Sequence, residues 1–134
     1  TVTARDVAGV WVEPLAALAL DPGRRAYLGF VVALMSASPE LRALSTDAFR
    51  PHFPRLDAAL ARALPHLDAP VRRMRFGLAA EMSMRALASF DALDAPWRAE
   101  HRSVAPRVLV DEIIHACTGL LLGPHPAVPE RTHP

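Results

Sequence analysis

The sequence predicts an all-α fold, a helical bundle of about five to six helices. Apolar residues recur at intervals of three and four over most of the chain, which is the period of an amphipathic helix. Prolines preceded by Asp or Ser separate these periodic segments, as they do where helices begin. No segment alternates apolar and polar residues with the period of two of a half-buried strand. With 134 residues, of which 51% are hydrophobic and 22% charged, the chain suffices for one domain with its own core.

The first two helices are predicted at residues 3–20 and 21–37. Pro14 lies inside the first helix, and we expect a kink one turn before it, because proline removes a backbone donor and clashes with the preceding turn. Asp21 and Pro22 are predicted to be the N-cap and the first position of the second helix. Apolar residues on nearly every side of this second helix predict that it is central and buried.

The middle of the chain is predicted to hold a short turn of helix, an irregular segment and a third full helix. Residues 38–44 restart a helix with Ser-Pro-Glu, and the two prolines within residues 45–54 indicate irregular structure. The third helix is predicted at residues 55–64 and ends at Pro65. The residues predicted to face inward from it are Phe53, Leu56, Leu60 and Leu64.

The longest helix is predicted at residues 70–93, and the final helix from a Ser103 cap to a stop at Gly123. Apolar residues cover about half of the circumference of the final helix, more than the roughly 100° of a one-sided helix. Such a helix needs two neighbours, and we expect one of them to be the same helix of a second copy. Residues 125–134 are proline-rich and aperiodic, so they are predicted to be a disordered tail after a domain at residues 1–124.

A homodimer is predicted from the two C-terminal helices, whose broad apolar arcs exceed what one protomer readily covers. Twofold pairing of two helices with two helices would bury both arcs in a four-helix interface. The residues predicted at this interface are Phe76, Leu87, Phe90, Leu109, Ile113, Ala116, Cys117 and Leu120.

The composition argues against several classes of partner. A net charge of +1 gives no overall attraction to nucleic acid or to an anionic membrane, and no apolar run reaches the length of a membrane span. The single Cys117 excludes a disulfide framework and is typical of a buried thiol in a reducing cytosol, so a cytoplasmic protein is predicted. A start at Thr1 without a signal-like segment predicts a fragment of a longer protein.

A metal site and an enzyme are not predicted. Glu112 and His115 have the Glu-x-x-His spacing of di-iron bundles, but the sequence holds no second such pair and His115 lies on the polar side of its helix, which favours a solvated face. Asp111, one turn before His115, predicts a surface ion pair. Neither a Gly-x-Ser-x-Gly elbow nor a glycine-rich phosphate loop is present, and no cofactor is predicted.

Arg75 is the one charged residue that the pattern places inside an apolar arc, between Val71, Leu78 and Met82 of the long helix. An unpaired charge in such a position is very costly, so Arg75 needs a partner. An acidic side chain of a neighbouring helix and the carboxylate or phosphate of a ligand are the two alternatives. Glu81 and Arg85 are predicted to form an ordinary pair one turn apart.

Three stretches together cover most of the chain and resemble a known family. The first is Trp11-Val-Glu-Pro-Leu-Ala-Ala-Leu followed by Asp21-Pro-Gly-Arg-Arg-Ala-Tyr-Leu. The second is Phe53-Pro-Arg-Leu-Asp-Ala-Ala-Leu-Ala-Arg-Ala-Leu-Pro65, and the third is Leu109-Val-Asp-Glu-Ile-Ile-His-Ala-Cys-Thr-Gly-Leu-Leu-Leu-Gly-Pro124. Their order resembles the C-terminal domain of the TetR/AcrR family of bacterial transcriptional regulators.

The resemblance implies the regulatory domain of a repressor. In the family, the last two helices of each protomer form a four-helix dimer interface, and the earlier helices enclose a cavity for a small, usually apolar effector. Operator DNA is bound by a separate N-terminal helix-turn-helix headpiece, which no stretch of this chain resembles, so this chain alone is not expected to bind DNA specifically. The residues predicted to line the pocket are Trp11, Leu15, Phe30, Leu34, Phe53, Leu60, Met74, Arg75, Leu78 and Met82. A helical dimerisation or interaction module without a small-molecule ligand is the alternative function.

Overall fold

The structure, a computed structural model, describes residues 1–93, 95–97 and 104–124. These residues form six α-helices, which are α1 (Ala4–Leu20), α2 (Arg25–Ala37), α3 (Pro39–Phe49), α4 (Phe53–Ala63), α5 (Ala69–Ala88) and α6 (Pro106–Leu122). Short 3-10 turns lie at Arg50–His52, Phe90–Ala92 and Ala95–Trp97. The described part of the chain contains no strand, which confirms the predicted all-α fold.

The two C-terminal helices, α5 and α6, pack side by side and antiparallel. Arg75, near the start of α5, donates Nη1–H to the carbonyl of Leu121 at the end of α6 at 2.9 Å. One turn further along, Cys117 Sγ lies 3.6 Å from the carbonyl oxygen of Ala79. Helix α1 lies against both, and α4 closes the core beside it. The largest fully buried side chains of this core are Val12, Leu60, Leu64, Leu87, Val110, Cys117 and Leu121.

Helix α1 forms where the sequence predicts it. Thr3 and Asp6 cap its start reciprocally, because the Thr3 hydroxyl accepts from the Asp6 amide and the Asp6 carboxylate accepts from the Thr3 amide. Pro14 does not end α1, which continues to Leu20. The carbonyl that loses its helical partner there belongs to Val10, which is 78% exposed, so water can satisfy it.

Two predictions for α2 are wrong. Asp21 is the C-cap of α1 rather than the N-cap of α2, and its Oδ1 accepts a hydrogen bond from the amide of Gly23 at 2.8 Å, which closes the turn. The helix is not buried either, since Leu28 is its one buried residue and Tyr27 and Phe30 are 62% and 60% exposed. Helix α2 packs against α1, α5 and α3, and Tyr27 and Phe30 face solvent.

The segment predicted to be irregular is helical. Helix α3 extends to Phe49 and passes through the 3-10 turn directly into α4. Prolines cause no break here, because Pro51 and Pro54 lie in the first turns of their elements, where the missing amide has no helical partner in any case. The predicted inward residues Leu60 and Leu64 are buried, but Phe53, at the first position of α4, is 38% exposed.

The ends of the last two helices differ from their predicted positions. Helix α5 stops at Ala88, five residues earlier than predicted, and the buried Phe90 lies in the 3-10 turn that follows. Helix α6 begins at Pro106 with Ala105 as N-cap, whereas the predicted cap, Ser103, lies outside the described residues. The predicted tail at 125–134 also lies outside them.

Candidate functional site

Trp11 is the predicted pocket residue with the most specific surroundings. Its indole Nε1–H donates to the hydroxyl of Ser83 on α5 at 2.9 Å, and Ser83, which is completely buried, donates in turn to the carbonyl of Ala80 at 3.0 Å. The indole packs edge-on against Phe76 with ring centroids 5.3 Å apart, and Phe49 approaches its other side at 6.5 Å. These contacts fix the half-buried ring between α1, α3 and α5.

The other residues predicted to line a pocket are not brought together around one cavity. Leu60 is part of the core, and Leu15, Leu34 and Met82 are half-buried. Exposure is far greater at three positions, with 60% for Phe30, 68% for Met74 and 57% for Leu78. In the described chain these side chains therefore lie on several separate surfaces.

A small concavity lies elsewhere, between α2, α3 and α5. Its enclosed volume of about 10 Å³ accommodates roughly one water molecule. None of the residues predicted for the pocket lines it. Its apolar floor and charged rim are formed by Val32, Met35, Met84, Arg42, Glu81 and Arg85. Glu81 lies between the two arginines, with Arg42 Nη1 at 2.5 Å and Arg85 Nε at 3.4 Å from its carboxylate oxygens, and the second contact confirms the predicted pair.

Among the described residues, Arg75 meets backbone carbonyls and not the acidic side chain that was one of its two predicted partners. Its Nη1 donates to Leu121 O at 2.9 Å and its Nη2 donates to Pro124 O at 3.1 Å. The last carbonyls of a helix have no helical partner, and a cation is favourable at this negative end of the helix dipole. Helix α6 has no basic residue in its own last turn, so Arg75 of α5 caps it from outside. Helical spacing gives no sign of this backbone acceptor, because Leu121 lies 46 residues away in the sequence.

An apolar surface runs along the side of α5 and α6 that is turned away from α1. On α5, Phe76 faces Trp11, and Leu78 lies about 160° around the helix from it. On α6, Arg107 pairs with Glu13 of α1, and positions nearly opposite are again open to solvent. We call this surface the outer α5/α6 face. Its exposed residues are Met74 and Leu78 of α5 with Ala116 and Leu120 of α6, and the half-buried Met82 and Leu109 lie at its inner edge.

Several residues predicted at a dimer interface are core residues of the single chain. Leu87, Phe90, Ile113 and Cys117 are all less than 7% exposed, and Phe76 packs against Trp11. Helical periodicity identified the broad apolar arcs, but it did not show which edge of each arc turns inward. Of the predicted set, Leu109, Ala116 and Leu120 lie on the outer α5/α6 face, and on α5 the exposed positions are those that had been predicted to line the pocket. The dimer itself stays a prediction.

Charged residues connect α1 to α6. Arg107 donates Nη2–H to Glu13 Oε1 and to Asp111 Oδ1, both at 2.7 Å. Asp111 therefore pairs with Arg107 and not, as predicted, with His115. The hydrogen bonds from Arg107 lower the pKa of Glu13 below its ordinary range.

Glu112 and His115 are exposed on α6, and the described residues contain no cluster of three or more potential metal ligands. Burial raises the pKa of the Cys117 thiol, which lies in the core against α5. Within the described ranges, no helix is both long and apolar enough to cross a membrane.

A comparison with protein-family models decides the family. The model described as the C-terminal domain of tetracyclin repressor-like proteins matches residues 10–119, which extend from α1 into α6. The chain belongs to this family. As a tetracyclin repressor-like C-terminal domain it falls in a regulatory, not an enzymatic, family, whose general role is ligand binding and dimerisation within a regulator. No curated protein and no solved structure matches the chain.

Proposed function

We propose that this chain is the effector-sensing and dimerisation domain of a TetR-like bacterial transcriptional repressor in the cytoplasm. The family match supports the regulatory role. The observation that carries the proposal furthest is the outer α5/α6 face, where Leu78 and Leu120 are 57% and 39% exposed on two antiparallel helices. Large apolar side chains exposed on neighbouring helices mark an interface more often than they mark a free surface.

A second copy of the chain is the partner that we propose for this face. Helix α5 has 20 residues and α6 has 17, which gives lengths of about 30 Å and 25 Å. Two such helices packed about 10 Å apart offer on the order of 500 Å² of face, within the range of patches that mark interfaces. Twofold pairing would bring Leu78 and Leu120 of both copies into the middle of a four-helix core.

The effector that we propose is a small apolar molecule that binds among α1, α2, α4 and α5. The half-buried side chains there include the indole of Trp11 and two methionines, Met35 and Met84, whose flexible thioethers adapt to different apolar shapes. The concavity beside Met35 and Met84 holds only about 10 Å³, so we propose that binding there requires a change of shape. An effector then acts only through the difference between its affinities for the two shapes.

We propose that operator DNA is bound by a helix-turn-helix headpiece outside these 134 residues. Two headpieces held by one dimer must lie about 34–36 Å apart to read neighbouring half-sites. A change in how α1 packs on the α5/α6 pair would alter that separation. Trp11 and Glu13, which connect α1 to Ser83 and Arg107, are the contacts through which such a change would pass.

A dimerisation module without an effector is the second candidate, and the small size of the concavity between α2, α3 and α5, about 10 Å³, favours it. A thermal-unfolding titration separates the two candidates. A panel of uncharged aromatic and aliphatic compounds is added to the protein, and its oligomeric state is followed by sedimentation. Dose-dependent stabilisation by at least one compound supports the sensor, because a ligand that binds the folded state stabilises it by an amount that grows with the logarithm of the ligand concentration. A dimer that no compound stabilises supports the module, and a monomer at tens of micromolar contradicts both.

A further inference from the structure

Helix α3 is attached to the rest of the protein by few contacts. None of its 11 residues is buried, and Leu44, its most exposed leucine, is 65% exposed. It lies mainly against α2 and has little contact with α1 or α5. Segments with few buried apolar contacts open locally at a much lower free-energy cost than the core.

Three side-chain contacts hold α3 against its neighbours. Arg42 forms an ion pair with Glu81 of α5 at 2.5 Å, and the Arg42 side chain is 44% exposed. The hydroxyl of Ser45 lies 3.8 Å from Met35 Sδ on α2. At the end of the helix, Phe49 meets Trp11 with ring centroids 6.5 Å apart. Each of these contacts is weak alone, because the ion pair is exposed and the sulfur is a poor acceptor.

The surface beneath α3 has the chemistry of an apolar binding site. Met35 and Met84 are half-buried on either side of the small concavity, and Trp11 lies below the far end of the helix. Methionine and tryptophan side chains together form surfaces that accept varied flat or aliphatic molecules. The concavity is the point where this surface already reaches solvent, beside the Arg42–Glu81 pair.

We propose that α3 is a hinged lid, held closed by the Arg42–Glu81 ion pair, and that small uncharged aromatic molecules bind beneath it between Met35, Met84 and Trp11. The hinges are the extended Ser38, which separates α2 from α3, and the 3-10 turn at Arg50–His52. Opening α3 exposes the apolar surface without disturbing the α1, α5 and α6 core. This inference rests on the proposed effector-sensing function and states where the effector enters.

Hydrogen exchange measured by mass spectrometry tests the lid. Amides of α3 are expected to exchange at least roughly tenfold faster than those of α1 and α6. Replacing Arg42 by Gln removes the ion pair and is expected to speed exchange in α3 by a further factor of roughly 1.5 to 5, the range for an exposed pair. The matched control is Arg73→Gln, which removes the same charge and breaks the Arg73–Asp57 pair between α4 and α5, but leaves α3 untouched.

Binding is tested with the uncharged fluorophore N-phenyl-1-naphthylamine. Arg42→Gln is expected to tighten its binding by the same factor by which it speeds α3 exchange, while Arg73→Gln leaves binding unchanged. Met84→Gln is expected to weaken binding roughly tenfold, and Met74→Gln, a change of the same size on the outer α5/α6 face, is expected to have no effect. Acrylamide quenching of Trp11 in a Trp97→Phe background should rise in Arg42→Gln, because opening exposes the indole.

The lid proposal is wrong if the amides of α3 exchange as slowly as those of α1. It is also wrong if Arg42→Gln and Arg73→Gln change hydrogen exchange in α3 by the same factor. The site is overturned if Met74→Gln weakens probe binding and Met84→Gln does not, since the probe then binds the outer face. These failures are distinct from failure of the sensor, because a compound that stabilises the protein while α3 stays closed preserves the proposed function and removes only the lid.

Discussion

The guanidinium of Arg75 on α5 closes the C-terminal end of α6, where it donates to the carbonyl of Leu121 at 2.9 Å. A second donor reaches Pro124 O at 3.1 Å. An arginine that the sequence placed inside an apolar arc therefore serves as a helix cap between two elements. The acceptors are backbone carbonyls, so the guanidinium is hydrogen-bonded without an acidic partner among the described residues.

Removing this cap is predicted to weaken the whole bundle. Arg75→Met preserves the aliphatic packing and deletes two charge-assisted hydrogen bonds, so we expect a loss of about 1–3 kcal/mol in the free energy of unfolding, measured with urea. The free energy of unfolding of Arg75→Lys should lie between those of Arg75→Met and the natural protein, because an ammonium cannot reproduce the planar, forked geometry of a guanidinium. Arg73→Met is the control and should cost less than about 1 kcal/mol. Equal stability of Arg75→Met and the natural protein would show that the cap does not contribute.

The Ser83 hydroxyl is predicted to stabilise the junction of α1 and α5. Ser83→Ala leaves the half-buried Trp11 Nε1–H without its partner, which costs about 1–3 kcal/mol. Ser89→Ala changes an exposed hydroxyl that makes no capping bond and should cost almost nothing. Both variants are compared by urea unfolding followed by circular dichroism. A neutral Ser83→Ala would mean that water replaces the lost acceptor.

Charged substitutions on the outer α5/α6 face are predicted to weaken dimerisation. Leu78→Glu and Leu120→Glu are each expected to raise the dimer dissociation constant roughly hundredfold or more, because a charge at the centre of an interface is desolvated on pairing. Sedimentation equilibrium measures the constant. Tyr27→Glu, at a similarly exposed position on α2, is the control and should leave it unchanged.

The same charge in the core is predicted to act differently. Ile113→Glu places a carboxylate at a residue only 6% exposed, so it should unfold the protein and not merely separate two folded protomers. Circular dichroism distinguishes these outcomes. If Ile113→Glu is well folded but monomeric, Ile113 belongs to the dimer interface. If Leu78→Glu is fully dimeric, the outer α5/α6 face is not part of that interface.

The Glu13–Arg107 pair is predicted to contribute stability only above acidic pH. The pKa of Glu13 is lower in the folded protein than its ordinary value of 4.5, so the pair stabilises above that value and the contribution disappears as pH falls through the folded pKa. The pair is exposed, which limits the effect to a few tenths of a kcal/mol. Urea midpoints of the natural protein and Glu13→Gln should differ at pH 7 and converge as the pH falls below the folded pKa of Glu13. A difference that stays constant across the whole acidic range would show that it comes from packing and not from the ion pair.

The spacing of apolar residues along the chain predicted the all-α fold, but it did not predict which apolar residues lie on which surface. The helical period correctly placed Leu60 and Leu64 in the core, since burial on one side of a helix leaves a direct trace in spacing. It did not show which of Phe76 and Leu78, about 160° apart on α5, faces inward, because that depends on where α1 docks. The partners of Trp11 and Arg75 lie 72 and 46 residues away, and contacts at that range are settled by tertiary packing.

The lone thiol in the core has a practical consequence. Cys117 is 1% exposed and lies against α5, and its raised pKa keeps it in the unreactive protonated form. Since the sequence has no other cysteine, an alkylating reagent finds its target only when α6 separates from α5. The rate at which an alkylating reagent labels Cys117 therefore reports how often α6 separates from α5. It can be measured in any variant without introducing a foreign probe.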